Sequence, residues 1–274
     1  MPLRLSLRAT TTIPLELDQV TPERLAGLSA AQIERLPIRH GNRNAALADW
    51  FEVSGEADDL QLEFTGEGLA SLHGVGCGMT RGSIQIAGDA GRHLGARMSG
   101  GEIRVAGNAG DWVGAEMRGG LIHVGGNAGD AAGCAYRGSP RGMLGGTLLI
   151  RGAAGAEVGR AMRRGLIAIG GDAGDALGYG LLAGTIVVGG NLGIRAGANM
   201  KRGTIVQLGS ASPTLLPTFA RACHLRPTFW RVLTRHLRQL RFPLPDETED
   251  REFELFKGDL LAGGRGDLLT GIAG

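Results

Sequence analysis

The sequence predicts a mainly β fold, a right-handed parallel β-helix of about seven 19-residue coils, with a small α/β cap at its N-terminal end and a helical cap at its C-terminal end. Three observations carry that expectation. Glycine supplies 49 of the 274 residues without a triplet period, which excludes collagen and means that the glycines are placed for geometry. The block Met-x-x-Gly-x-Ile-x-Val-x-Gly-x-x-Gly-x-x-x-Gly recurs from Met79, Met98, Met117, Met143, Met162, Leu181 and Met200, at steps of 19 residues with one step of 26. Within each block, apolar residues alternate with the period of a half-buried strand.

Residues 1–75 precede the repeats and read as a mixed α/β cap. Thr21-Pro22-Glu23 and the box Ser29-Ala30-Ala31-Gln32 are helix starts, with a hydroxyl residue at the cap and, in the first, proline at the first helical position. Strands follow near "DWFEVSG" and "LQLEF". Residues 76–210 hold the coils, whose strands are "SIQIAG", "EIRVAG", "LIHVGG", "TLLIRG", "LIAIGG", "TIVVGG" and "TIVQLG". Their second and fourth positions, from Ile84 and Ile86 through Ile186 and Val188, point to one side and form the core. Rungs about 4.8 Å apart give a stack roughly 30 Å long. The single long step is a seven-residue insertion around Cys134–Gly142, confined to one corner as a stacked repeat tolerates.

Outward positions are polar in the early strands (Ser83, Gln85, Glu102, Arg104) and apolar in later ones (Leu121, Leu149, Leu166, Ala168, Val187, Val206). A strand apolar on both faces is covered on both. Residues 211–274 supply one candidate cover, because a helix over Pro227–Leu240 puts Phe229, Leu233, Leu237 and Leu240 on one stripe, with Arg231, Arg235 and Arg238 turned away from it. A partner protein is the other.

The repeats explain most of the residues that suggest chemistry. A dinucleotide-binding glycine loop occurs once, between a strand and a helix, whereas these glycines recur without a helical period behind them; they are corners. The six coil-starting methionines form a core ladder. Asp89, Asp111, Asp130, Asp172, Asp175, Asn108, Asn127 and Asn191 flank corner glycines, where these residues tolerate left-handed turns and bond their own backbone. The six histidines lack any ligand spacing, so no metal site is assigned, and no catalytic residue is assigned either.

Composition narrows the class. Net charge is +2, and three scattered cysteines, Cys77, Cys134 and Cys223, fit a reducing cytoplasm better than a disulfide framework. No apolar run approaches the ~18 residues of a membrane span, so neither membrane nor nucleic acid is an expected partner.

The coil motif, as in "GEIRVAGNAGDWVG" and "GTIVVGGNLGIRAG", resembles the GXGXG β-helix domain of the glutamate synthase large subunit. The flanks are more specific. "TPERLAGLSAAQIERLPIRHGN", "ADWFEVSGE", "GCGMTRGSIQIAGDAG", "GSPRGMLGGTLLIRGAAG", "ANMKRGTIV" and "KGDLLAGGRGDLL" together resemble the C subunit of formylmethanofuran dehydrogenases and of the bacterial formyltransferase/hydrolase complex. That resemblance implies a non-catalytic structural subunit of a formyltransferase/hydrolase complex that works in one-carbon metabolism, on the route of formaldehyde oxidation to formate. In it, a D-type formyltransferase subunit moves formyl from tetrahydromethanopterin to a methanofuran-type carrier, and an A-type amidohydrolase subunit hydrolyses it; the complex also holds a B-type subunit. No cofactor is expected on this chain itself. The C subunit of a molybdenum- or tungsten-containing dehydrogenase is the alternative.

One basic pattern is left over. Arg81, Arg118, Arg163, Arg164, Lys201 and Arg202 fall in the two positions before the first glycine of a coil, which lines them up along one corner as candidate contacts for an anionic carrier or an acidic partner, or else as a solvated face. A stand-alone β-helix enzyme with a groove beside Cys134–Gly142 is a remaining reading. It requires clustered carboxylates on the outward strand face, where the repeats offer only Glu102.

Overall fold

The computed structural model describes residues 1–245 and 248–272. The chain opens with β1 (Leu3–Leu7), β2 (Leu15–Glu16), α1 (Pro22–Leu25), α2 (Ala30–Glu34), β3 (Pro37–His40), β4 (Arg43–Ala46), α3 (Leu47–Trp50), β5 (Phe51–Ser54), β6 (Gln61–Thr65) and β7 (Leu72–His73). The repeats supply β8 (Ser83–Ile86), β9 (Glu102–Val105), β10 (Leu121–Val124), β11 (Thr147–Ile150), β12 (Leu166–Ile169), β13 (Thr185–Val188) and β14 (Arg202–Gln207). The tail adds β15 (Ala220–Leu225), α4 (Thr228–Gln239), β16 (Phe253–Gly258) and β17 (Arg265–Gly271).

Strands β8 to β14 pair in parallel, each in register with the next coil: Ile84 faces Ile103, then Ile122, Leu148, Ile167, Ile186 and Ile205. They belong to a sheet of 13 strands that runs past the repeats at both ends. On one side β6 pairs in parallel with β8, and β1 and β5 follow; on the other β17 pairs in parallel with β14, and β16 and β15 follow antiparallel. Terminal segments therefore bond to the end coils of the stack, where a bare strand edge would stand open. A second ladder of isolated parallel bridges joins Ala90, Ala109, Ala128, Ala154, Ala173 and Leu192.

The interior is a set of columns. The strand isoleucines, the alanine ladder and Met79, Met98, Met117, Met143, Met162 and Met200 are all buried. Stacking like on like keeps every coil the same cross-section, so one methylene removed from a column leaves a gap that neighbours cannot close.

Glycine is obligatory at one position of each repeat, the column from Gly82 to Gly203, all at positive φ. Gly165 has φ +105°, and a Cβ there would lie 2.7 Å from the carbonyl oxygen of Gly146, the matching residue one coil below. Elsewhere the corners depart from the glycine rule. His93, Trp112, Ala131, Glu157, Ala176 and Arg195 form a column of left-handed residues with φ between 58° and 66°. The reason is hydrogen bonding: His93, Trp112, Ala131, Glu157 and Ala176 each donate their backbone N–H to a carbonyl of the following coil, at 2.8–2.9 Å. The left-handed turn aims the donor along the stack, which offsets a cost of order 1 kcal/mol or more per residue.

The corner Asp and Asn residues also behave differently from expectation. They do not bond their own backbone, and none of the eight is left-handed. Each aims its side-chain oxygen at a backbone N–H in the next coil: Asp89 to Asn108, Asn108 to Asn127, Asn127 to Ala153, Asp111 to Asp130, Asp130 to Ala156, Asp172 to Asn191, Asp175 to Ile194 and Asn191 to Ala211. The carbonyl-sized acceptor continues the ladder where the backbone itself turns away.

The outward apolar positions Leu149, Leu166, Ala168, Val187 and Val206 are covered by the tail, in a second core with Trp230, Leu237, Phe242, Phe253 and Leu269. The helix stripe is rotated from the expected one. Phe229 is exposed, while Trp230, Thr234 and Leu237 are buried and Leu233 and Leu240 pack at the margin. Trp230 turns inward because its indole N–H donates to the Thr248 carbonyl and its ring meets Phe253 edge-on at 5.2 Å, satisfactions that Phe229 cannot offer. Arg231 pairs with Asp250, and Arg235 and Arg238 with Glu249, on the outer side.

Two outcomes are expected from this architecture. Ile167→Ala, in the middle of the strand column, lowers unfolding free energy by about 2–5 kcal/mol in denaturant titration. Asn127→Ala removes one inter-coil acceptor and costs about 1 kcal/mol by the same measurement, whereas Asn127→Asp, which keeps the oxygen, costs less.

Candidate functional site

The basic corner forms because the segment between each buried methionine and the next strand runs from coil to coil in register. Ser99 N–H donates to the Met79 carbonyl, Arg118 to Met98, Leu144 to Met117, Arg163 to Met143, Leu182 to Met162 and Lys201 to Leu181, at 2.7–2.8 Å. Arg118, Arg163 and Lys201 thus occupy alternate coils of one column, about 10 Å apart for two rungs. Arg81, Arg164 and Arg202 stand in the adjacent column, one residue on. All six are exposed, and none makes an ion pair among the described residues, although Lys201 lies within the field of Asp259. By contrast Arg4, Arg92, Arg97, Arg221, Arg226 and Arg231 each pair with a carboxylate elsewhere on the surface. The corner is consequently a stripe of uncompensated positive charge, strongest over the last three coils.

The insertion Cys134–Gly142 roofs a pocket of about 290 Å3 beside this corner, lined by Tyr136, Pro140, Arg160, Tyr179, Leu182 and Lys201 among others. Its polar lining is basic and phenolic, without a carboxylate among the residues around it. Cys134 is buried beneath the loop, and burial pushes its thiol pKa up to about 12, which leaves it a neutral packing group rather than a nucleophile. Arg160 holds the loop, donating from Nη2 to the Ala135 carbonyl at 2.8 Å.

Sequence reasoning missed a cluster of aromatic residues at the foot of this loop. Trp112 and Tyr136 stack at 5.0 Å, His93 stacks on Trp112 at 6.2 Å, and His93 Nδ1 lies 2.8 Å from the Tyr136 hydroxyl. Arg97 sits over the Tyr136 ring at 5.2 Å and pairs with Glu116 at 2.9 Å. Burial pushes the Tyr136 phenol up to about 12 and lowers His93, so both are neutral at pH 7. The 19-residue spacing of His93 and Trp112 was the available signal; Tyr136 carried none, because the insertion breaks the period.

The other histidines do not assemble a ligand set: among the described residues no group of three or more His, Cys, Asp and Glu is placed to hold a metal. His123 is half-buried on the outward strand face, with its Nε2 enclosed and without a hydrogen-bond partner. Among the described residues no helix is long and apolar enough to cross a membrane.

No family model matches the chain. Curated relatives match over part of it. The C subunit of the tungsten-containing formylmethanofuran dehydrogenase 2 of Methanothermobacter thermautotrophicus is 41% identical over 88 residues, 31% of this chain and 32% of that protein. The C subunit of the formyltransferase/hydrolase complex Fhc of Methylorubrum extorquens is 39% identical over 91 residues, 33% of each. The matched stretches thus span about a third of the length of these relatives. The likeness extends to the whole chain in a solved structure, the formyltransferase/hydrolase complex (FhcABCD) from Methylorubrum extorquens in complex with methylofuran: one of its chains superposes with a TM-score of 0.90 and 36% identity, over 98% of this chain and 100% of that one. With that identity sustained from end to end, this chain belongs to the family of C subunits found in formylmethanofuran dehydrogenases and formyltransferase/hydrolase complexes.

Proposed function

We propose that this chain is the non-catalytic structural subunit of a cytoplasmic formyltransferase/hydrolase complex. The observation that carries the reading is the end-to-end likeness, at 36% identity, to a chain of the FhcABCD complex. In this reading a D-type subunit transfers formyl from tetrahydromethanopterin to a methanofuran-type carrier, an A-type subunit hydrolyses the product, and the assembly also holds a B-type subunit. This chain contributes a rigid right-handed β-helix of about seven coils, with residues 1–75 and 211–274 as caps on residues 76–210. A stack tied by backbone hydrogen bonds on several sides deforms little, which suits a part that fixes the distance between two active centres.

The basic corner is assigned the contact with an anionic carrier tail or an acidic partner segment. Arg163, Arg164, Lys201 and Arg202 lie close together on it and form no ion pair with a carboxylate among the described residues. A flexible polyanion held by such a stripe stays near both centres while its end remains free to move.

Purification of the tagged chain at native expression, with mass spectrometry and assays of formyl transfer and formate release, tests the assignment. Co-purifying D-type and A-type subunits with both activities support it, and a molybdenum- or tungsten-containing partner moves the chain to the dehydrogenase. A partner-free monomer sinks it. In the purified complex, the triple variant Arg163→Ser, Arg164→Ser, Arg202→Ser is expected to bind carrier about tenfold or more weakly and to lose much of the salt dependence of binding. Unchanged carrier affinity and turnover would remove the corner from the reading.

A further inference from the structure

The outward face of the large sheet is covered only over its later strands. Over β6 to β9 and at His123 of β10 it is polar, and there it holds a groove of about 400 Å3, at the end of the strands away from the basic corner. Its construction follows from register. Gln85, Arg104 and His123 stand side by side on β8, β9 and β10 and form one wall. Two residues further along each strand come Ala87, Ala106 and Gly125, also stacked by hydrogen bonds, whose small side chains leave a trough. In the next coil the same position is Arg151, which rises at the end of that floor because its N–H continues the ladder to the Val124 carbonyl.

The charges around the groove do not cancel. Arg4 pairs with Glu63 at 2.9 Å at the far end, and Arg104 pairs with Glu102 on its own strand. Among the described residues Arg151 bonds the Arg241 carbonyl, at 3.4 Å, and makes no ion pair. Beside it stands His123, half-buried, with its Nε2 enclosed by the protein. Burial lowers the His123 pKa first, and the positive fields of Arg151 and Arg104 lower it further against the opposing Glu102. The imidazole is therefore neutral at pH 7 and brings a hydrogen-bonding group but no charge. An apolar floor, two guanidiniums and a neutral imidazole alongside make a site for a small anion. The volume is that of a small-molecule pocket.

We propose that this groove is an anion-binding site, taking a small carboxylate- or phosphate-bearing ligand whose charged group sits between Arg104 and Arg151, beside the His123 imidazole. The site is separate from the basic corner and does not depend on the function proposed above. Bidentate capture by guanidinium fits either anion.

The imidazole resonances of the full-length chain report on this directly. Glutarate and inorganic phosphate are titrated separately, at constant ionic strength, while the His123 signals are followed by NMR. A saturable shift with one or both is expected, and the arm that saturates identifies the anion. Saturation is also expected to raise the apparent pKa of His123, because the bound charge opposes the Arg151 and Arg104 fields that add to the lowering by burial. Arg151→Gln weakens the response by about tenfold, Arg151→Lys weakens it less, and Arg43→Gln, an exposed change on another sheet, leaves it as it was. Proton chemical-shift dispersion in each variant confirms folding. A His123 signal indifferent to both anions at tens of millimolar overturns the proposal, as does a response that survives Arg104→Gln with Arg151→Gln. It is also overturned if His123 responds only when partner proteins assemble and not to either anion, since the groove is then a protein interface.

Discussion

Everything in this molecule depends on backbone hydrogen bonds running between coils at matching height. A parallel strand pair of only four residues is weak by itself, and these strands are four residues long in six of the seven repeats. Their persistence comes from continuation: the alanine bridges, the left-handed corner donors and the Asp and Asn acceptors carry the same bonding around the rest of each coil. A coil that lost register would break all of these together, so the 19-residue step is enforced by every side at once. The insertion after Gly133 is tolerated because it leaves from one corner and returns before Met143, without disturbing the columns on either side.

That constraint also decides what is free to vary. Inward positions are tied to a fixed cross-section and carry stacked isoleucine, alanine and methionine. At the basic corner the positions are tied through the backbone, and their side chains stand exposed in aligned columns. A single arginine in a repeat becomes, by stacking, part of a line of charge. The basic corner, the His93–Trp112–Tyr136 cluster and the groove over β6 to β10 are all products of that alignment, each built from residues that are far apart in the chain and adjacent along the stack.

The outward sheet face shows how the chain distributes surface between itself and other molecules. Its later half is apolar, is extended by β17 and β16, and is sealed by α4 and the segment that follows it. Its earlier half is charged and left open. A protein that holds others in place needs a stiff interior and accessible, chemically distinct surfaces, and the division of this face provides both in one sheet.

Much of this was legible in the sequence. The helix starts at Thr21 and Ser29 follow from capping residues, and the period, the inward isoleucines, the methionine column and the alignment of Arg118, Arg163 and Lys201 follow from spacing alone, because a stacked repeat converts position in the chain directly into position in space. What tertiary structure decided lies where that conversion fails. The orientation of α4 was settled by the Trp230 indole finding the Thr248 carbonyl, a contact outside the helix and beyond its periodicity. The role of the corner Asp and Asn residues was settled by which backbone N–H groups were left over in the neighbouring coil. Tyr136 joined His93 and Trp112 through an insertion that has no period to read, and Glu63 entered the groove from a strand outside the repeats. In each case a polar group or an aromatic ring was placed by the partner that satisfied it, and only the folded chain brings that partner near.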